Sequence, residues 1–530
     1  MAEATIERPR ARRFETLRAQ PRHELLAWGA LLLLALVVRL WDLGDRPFHH
    51  DESQDAYFSW LFKTSGDYEY DPLLHGPLRF YLTAAMYVVL GDTDFTARLA
   101  PALMGLAMVA LPYLLRDQIG RVAAFASAAL LAFGPSYLYF SRFAREDIYI
   151  ACVTLAMLVV TFRFFDHPRR HHPAAFGALL AMSFAIKETT FITVFVAGSF
   201  FLLAIAWQTR EHGFRDGHVV KTLLGVRWDD WAWGVIVFLG VYTALFTTFF
   251  THPSGVYGLY TGLDYWLGQH EVGRGGEPEY FYAVLLFAEE WPVLLLGAVG
   301  AVVAFRRPTL LRLFLVWAFV LSLAVYSWAG EKFAWLILHP LLPLILLAGI
   351  GLQAIWDSRS KVALALASLA LAYSVYASFV SNAIYRAHPR EFLVSTQSSE
   401  EVGRSAREVL DLAERRGGDL KVTIDSSEGA TFPWAWYFRH LDVGYIDLAT
   451  SGAPPAESDV ILLTQASQAR LQQNLIGYDG RLIPFRVWWV RDYGAMSAGN
   501  WWRWFTRREP WNDTGGMQEW IYVRRAALPQ

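Results

Sequence analysis

Over its first 380 residues the chain alternates long apolar runs with short polar breaks, and then the pattern changes. A helix crossing a bilayer needs about 20 mostly apolar residues. Runs that meet or approach this length lie at 24–43, 98–115, 122–140, 148–165, 174–187, 189–207, 232–251, 281–305, 309–328, 334–354 and 361–380. The pattern therefore predicts an all-α polytopic membrane protein with about eleven transmembrane helices. The fifth run is short, and Lys187-Glu188 at its junction with the sixth predicts a tight hairpin. A further run at 77–90 has about half a spanning length and is expected to lie in the membrane interface. Beyond residue 381 no spanning run occurs. There, 400–416 has the spacing of an amphipathic helix, and 420–424 and 460–464 read as short buried strands. Three parts are expected: a basic N-terminal segment at 1–23, a transmembrane domain at 24–380 with a long first outer loop at 44–97, and a soluble α/β domain at 381–530.

Charge sets the orientation. Arg8, Arg10, Arg12, Arg13, Arg18 and Arg22 precede the first run. Residues 25–41 are long for a signal core and lack a small-residue cleavage site, so they are expected to remain as a first membrane helix. With 77–90 in the interface, Lys and Arg concentrate on the segments that share the N-terminal side. The positive-inside rule then puts the N-terminus in the cytoplasm and the C-terminal domain outside a multi-pass cell (plasma) membrane protein. Composition agrees: 18% of residues are charged, against about 25% in soluble proteins, and mean hydropathy is +0.26. A net charge of −2 supplies no broad basic field for nucleic acid. The single cysteine, Cys152, excludes an intrachain disulfide and a cysteine zinc site.

On this topology an unusual set of polar residues collects at the outer helix ends. The first outer loop carries His49-His50-Asp51-Glu52-Ser53 and later His75-Gly76-Pro77, and Arg98 heads the second span. The loop after the third span reads Ser141-Arg142-Phe143-Ala144-Arg145-Glu146-Asp147. Lys187-Glu188, His252, Asp264, Glu289-Glu290, Gly330-Glu331-Lys332 and His339 follow. Ionisable residues at membrane depth are costly and usually face a cavity or pathway. Each has an ordinary alternative. A charged loop pair such as Asp51-Glu52 is often solvated surface, Arg142 and Arg145 can anchor helix ends by snorkelling, and a short His/carboxylate run is a weak metal signal. Glu289-Glu290 resists such a reading, because both interrupt an apolar segment. Nine of the 22 tryptophans fall after residue 380, among them Trp434, Trp436, Trp501, Trp502 and Trp504; they serve either core packing and an interface belt or sugar stacking.

The Asp-Glu pair after the first span, the arginine heading the second and the charged motif after the third resemble the protein O-mannosyltransferases and their bacterial aminoarabinose-transferase relatives. These are GT-C glycosyltransferases. The block Tyr326-Ser327-Trp328-Ala329-Gly330-Glu331-Lys332-Phe333-Ala334-Trp335-Leu336 and the tail block Thr431-Phe432-Pro433-Trp434-Ala435-Trp436-Tyr437-Phe438-Arg439 are more similar to one subgroup, the flippase-activity-associated putative mannosyltransferases.

The resemblance implies an inverting transfer of a sugar from a polyprenyl-phosphate carrier to a lipid-linked glycan or protein acceptor on the extracytoplasmic face. A carboxylate would take the acceptor proton and cations would hold the leaving phosphate. Matching motif positions gives Asp51 as the base with Glu52 beside it. Arg98, Arg145, Asp147, Lys332, Glu331, His75, Glu289 and Glu290 are then the donor-phosphate and substrate candidates, and Trp434 and Trp436 the acceptor-facing candidates. His50 and Asp51 leave open a divalent metal (Mg, Mn or Zn), on which related families differ. The competing class is a non-catalytic flippase partner or transporter of lipid-linked saccharide. Transporters often carry paired repeats with sites at the midplane; no repeat is seen here and the polar residues gather at one face, which favours the enzyme.

Overall fold

The computed structural model describes residues 22–270, 274–450 and 452–527. The expected basic segment at 1–23 lies outside them except for its last two residues. Packing divides the chain into two compact units.

The first unit comprises the residues up to Trp41, Tyr68–Leu82 and Leu99–Phe379. Among the described residues of the whole chain, nine unbroken helices are long and apolar enough to cross a membrane, from Arg22–Leu40 to Lys361–Ile384. A tenth is counted if Arg121–Phe133 and Pro135–Ser141, bent by 57°, form one span. The break falls at Gly134-Pro135 because proline has no N–H to continue the ladder. The fifth expected span, already short in sequence, is a helix of only 13 residues, His172–Phe184. It stops there because the next residues pair elsewhere: Gly76 donates its N–H to Ile186 O at 3.1 Å and Leu78 to Ala185 O at 2.9 Å.

Spanning helices pack through small residues. At Gly300 in Phe281–Arg306, a Cβ would sit 1.9 Å from the carbonyl oxygen of Leu347 in the facing helix, so only glycine permits the approach. Phe281–Arg306 is itself kinked: Glu290 leaves helical geometry (φ −126°, ψ 23°) two residues before Pro292. The expected interfacial run forms the helix Leu78–Leu90. At 1.5 Å per residue it is roughly 20 Å long, short of the roughly 30 Å hydrocarbon core.

The second unit comprises Asp42–Asp67, Thr83–Arg98 and Val380–Gln530. Its centre is a six-stranded sheet of β1 (Gln397–Ser398), β2 (Lys421–Asp425), β3 (Asp442–Ile446), β4 (Val460–Thr464), β5 (Tyr478–Trp488) and β6 (Gly515–Arg524), in the order β1-β5-β6-β4-β2-β3. β2 pairs parallel with β3 and β4, and the remaining pairs are antiparallel. The amphipathic helix Glu400–Arg415 lays Val402, Ala406 and Val409 into one core with Val422, Ile424 and Leu462.

Phe48, Ala56, Tyr87 and Ala97 belong to that same core. Residues 44–67 and 83–97 of the first outer loop, expected to go with the transmembrane domain, thus pack with the C-terminal segment, while 68–82 belong to the first unit. The reason is aromatic and polar complementarity. Tyr87 stacks on Trp436 at 5.8 Å, Phe48 meets Trp436 at 5.4 Å, and the Phe48 N–H donates to the Tyr437 hydroxyl at 2.9 Å.

Candidate functional site

In the second unit, the helix His50–Ser65 begins with a capping box: the His49 side chain accepts from the Asp51 N–H, and Glu52 reaches back to the His49 N–H. This start turns the two adjacent acids to different environments. Glu52 is fully buried. Its Oε1 accepts from Arg98 Nε at 2.8 Å and Arg46 Nη2 at 3.1 Å, and its Oε2 from Arg98 Nη2 at 3.0 Å. Arg98 also donates to the carbonyls of Leu43 and Arg46 and lies 4.2 Å over the Phe48 ring. Its guanidinium is therefore engaged by Glu52 and backbone, not presented to a phosphate, and Glu52 is the counter-ion of that pair. Asp51 keeps 29% of its side chain exposed.

His50 accepts from Arg486 Nη2 at Nδ1, 2.8 Å away, and its Nε2 meets Gln54 at 3.3 Å. Since a guanidinium only donates, the Nδ1 lone pair is occupied. No group of three or more His, Cys, Asp or Glu among the described residues is arranged to hold a metal, so His50 and Asp51 do not fit one.

Trp434 and Trp436 are both fully buried. Their indole N–H groups donate to Glu519 Oε2 at 2.7 Å and Asp94 Oδ1 at 2.8 Å. They pack the core instead of facing an acceptor; their apolar area outweighs exposure once each N–H has a partner. Burial pushes the Glu519 carboxyl well above its usual range.

In the first unit, three segments distant in sequence build one ion network. Glu146 stands at its centre. Its Oε1 receives Arg145 Nη2 at 2.7 Å and Lys187 Nζ at 2.8 Å, and its Oε2 receives Arg79 Nη1 at 2.6 Å. Asp147 takes Lys187 Nζ at 2.9 Å and Arg145 Nε at 3.3 Å. His75 places Nδ1 2.7 Å from Glu188 Oε2 and Nε2 3.6 Å from Glu146 Oε1. Arg145 is braced by the Trp335 ring, 4.0 Å from its guanidinium carbon. Burial alone would raise the Glu146 carboxyl, but Arg145, Lys187 and Arg79 hold it well below the usual range. Burial would likewise lower Lys187, and Asp147 and Glu146 more than offset it.

Lys332 is buried and donates to Ala329 O at 2.7 Å, and among the described residues it makes no ion pair. Its loop is clasped by hydrogen bonds from Arg274 N–H to Gly330 O at 3.2 Å and from the Lys332 N–H to Arg274 O at 3.0 Å. Glu331 is half-buried beside it.

Glu289 and Glu290 do not join this network through any contact seen. Both are buried within a span, and Glu290 Oε1 accepts the Ser136 N–H at 3.0 Å, capping the short helix that follows the Gly134-Pro135 break. That role explains the cost of an acid at this depth without a substrate.

Arg79 was not singled out by the sequence, and Glu146, Lys187 and Glu188 only as part of a general outer cluster. The nearest signal was His75-Gly76-Pro77 itself, with Arg79 one helical turn from His75.

Beside the network lies an apolar cavity of about 460 Å³ among the spanning helices, lined by Ala151, Ile192, Phe201, Phe314, Tyr326 and Leu342 with others. Ala151 is one helical turn after Asp147 and shares its face. Ile192 is five residues after Lys187, and Tyr326 stacks on His339 at 4.7 Å at the cavity wall.

Residues 74–223 match the sequence profile of the dolichyl-phosphate-mannose-protein mannosyltransferase family. Every residue of the ion network falls inside that stretch. Among curated proteins nothing matches. Among solved structures, ArnT from Cupriavidus metallidurans in the apo state superposes with a TM-score of 0.63 at 16% identity, covering 96% of this chain and 100% of that one. The fold is the GT-C fold. ArnT bound to undecaprenyl phosphate gives 0.60 at 17% identity, covering 96% and 99%. The Archaeoglobus fulgidus oligosaccharyltransferase AglB, in complex with an inhibitory peptide and a dolichol-phosphate, gives 0.52 at 12% identity, covering 79% of this chain and 64% of that one. That enzyme has also been solved with Zn and sulfate. The GT-C fold carries the multi-pass membrane architecture with it.

Proposed function

We propose that this chain is a membrane glycosyltransferase that takes a sugar from a polyprenyl-phosphate donor and transfers it, with inversion, to a hydroxyl of a lipid-linked glycan or protein. The observation that carries this reading is the apolar cavity beginning one helical turn from Asp147, in a buried ion network that holds Arg145 and Lys187. A polyprenyl phosphate is an apolar chain ending in an anion, and it needs both. Two GT-C structures hold such carriers, undecaprenyl phosphate in ArnT and dolichol-phosphate in AglB.

The division of labour follows from the chemistry. Arg145 and Lys187, fixed by Glu146 and Asp147, and Lys332, whose ammonium donates to the Ala329 carbonyl, bind the donor phosphate. A cation at the dry edge of a bilayer stabilises developing negative charge far more than one in water. Asp51, the exposed acid of its pair, takes the acceptor proton as the acceptor oxygen bonds to the anomeric carbon and the carbon–phosphate oxygen bond breaks. The N-terminus faces the cytoplasm and the acceptor side is extracytoplasmic.

The test is to incubate the purified chain with a panel of polyprenyl-phosphate sugars, with and without lipid-linked and peptide acceptors, and to follow sugar release and transfer. Turnover of at least one donor is expected. Binding of a donor with neither release nor transfer, together with its movement across vesicles, would instead establish the transporter reading.

A further inference from the structure

We propose that His75 is the proton donor to the departing carrier phosphate, with Glu188 holding its imidazole in place. This deepens the reading above and rests on it.

The backbone gives the first indication. His75 sits at φ 60°, ψ −161°, a conformation that a residue bearing a Cβ rarely adopts. Such strain persists only where the surroundings over-determine it, and it concentrates at functional positions. Here the following residues are locked in place. Gly76 and Leu78 pair with the backbone of Ile186 and Ala185, and a Cβ on Gly76 would lie 2.2 Å from the Ala185 carbonyl. The Arg79 guanidinium ties the same turn down through the Leu74 carbonyl and Glu146. A turn held this firmly aims one side chain.

The second indication is exposure. The side chain of His75 is 24% exposed, whereas those of Arg79, Arg145, Lys187, Glu146, Asp147 and Glu188 are 8% or less. It is the network member that meets solvent, and the one whose ordinary titration lies near neutrality. The groups facing it are Glu188, Glu146 and Lys187, with Arg79 and Tyr70 just beyond, Tyr70 through its hydrogen bond to Glu188. Leaving His75 aside, Arg79, Arg145 and Lys187 balance Glu146, Asp147 and Glu188 in charge. Of these groups the imidazole is the one whose charge changes near neutrality.

The third is chemical fit. Glu188 accepts from Nδ1, which fixes the ring and favours the imidazolium, and Nε2–H is left with only a distant carboxylate at 3.6 Å. A carboxylate on one nitrogen and a transferable proton on the other is the arrangement of a general acid. Burial lowers the imidazole, but Glu188 and Glu146 more than compensate, so it titrates above the usual 6.5.

The step balances. The acceptor oxygen bonds to the anomeric carbon and gives its proton to Asp51, while the bond from that carbon to the phosphate oxygen breaks with its electron pair on the oxygen. The phosphate takes the Nε2 proton and leaves as a monoanion. His75 recovers a proton from solvent through its exposed edge, and Asp51 returns one.

The experiment uses the full-length chain in detergent or nanodiscs with a donor it turns over. Glycine accepts φ 60° without strain, so His75→Gly keeps the backbone of the turn, and its melting temperature beside that of Glu188→Gln, which breaks the same ion pair, separates chemistry from stability. Turnover of His75→Gly should fall by roughly 100-fold or more, while the Kd for undecaprenyl phosphate changes only a few-fold, and added imidazole should restore part of the rate. In the unaltered chain the rate falls as pH rises through the His75 value; His75→Gly loses that alkaline limb, and Glu188→Gln moves it to lower pH. A His75→Gly chain with full turnover and an unchanged pH profile overturns the proposal and leaves the glycosyltransferase reading standing. A chain that turns over no polyprenyl-phosphate sugar at all overturns both.

Discussion

Two buried ion networks, one in each unit, differ in how completely they are closed. In the second unit, Glu52 spends both carboxylate oxygens on Arg98, Arg46 and the His49 N–H, and Arg98 gives its remaining donors to backbone carbonyls. Neither side chain of the Glu52–Arg98 pair meets solvent. In the first unit, Glu146 and Asp147 are just as buried, but the network ends on the partly exposed His75, and Lys332 is a buried cation that makes no ion pair among the described residues. A closed network holds a fold together. An open one has charge left for a ligand. Residue type alone does not separate the two, since each pairs an acid with arginine near the end of an apolar run.

The sharpest way to break this contrast is to open the closed network. Glu52→Ala leaves Arg98 charged, buried and unpaired, which costs about 3–5 kcal/mol. Thermal melts should show a large loss of stability, and any loss of turnover should track the unfolded fraction. A stable Glu52→Ala chain with selectively impaired chemistry would place Glu52 in the reaction and remove the distinction drawn here.

Asp51 tests the neighbouring position with the opposite signature. Asp51→Asn should lower transfer by roughly 10²–10⁴-fold with a melting temperature close to that of the unaltered chain, because the side chain is part-exposed and carries none of the Arg98 contacts. Donor binding should scarcely move. Normal transfer by this variant would exclude Asp51 as the base.

Lys332 tests the open network. Lys332→Gln gives up only the bond to Ala329 O, so stability should hold, whereas donor affinity should fall roughly 10- to 100-fold, as expected for a lost charge-assisted contact. If the melting temperature falls and donor affinity does not, Lys332 is structural.

Much of the scaffold is legible because its signals are local. Apolar runs predict the spans, helical spacing predicts Glu400–Arg415, and the apolar run at Val460–Thr464 is a buried strand as expected. The shortness of His172–Phe184 is legible, but its end is not, because it is set by pairing of Ala185 and Ile186 with Gly76 and Leu78, more than 100 residues earlier. The same limitation hid Arg79, whose meaning depends on a partner at position 146, and the first outer loop, whose Phe48 bonds to Tyr437. The Asp-Glu motif gave Asp51 as the base with Glu52 beside it; the different surroundings of the two acids come from the capping turn, which buries Glu52 and leaves Asp51 part-exposed.

The smallest expected effect concerns the aromatic tail. Trp434→Phe keeps most of the apolar volume and removes the N–H that bonds to Glu519, a loss of roughly 1–2 kcal/mol. Burial raises the Glu519 value in the folded chain, while the Trp434 N–H works against that rise by favouring the carboxylate. A raised carboxyl contributes its full stability below the unfolded value, about 4.3, and loses it as pH climbs through the folded value. Without the indole donor the folded value rises further, so the folded chain holds its proton over a wider range in which the unfolded chain has already released it. The Trp434→Phe deficit should therefore be small at pH 4 and larger at pH 8, read as the difference in melting temperature between the two chains. The acceptor Michaelis constant should stay unchanged. An acceptor constant that rises while the melts coincide at both pH values would return Trp434 to the substrate-facing surface and show that the aromatic tail does more than pack.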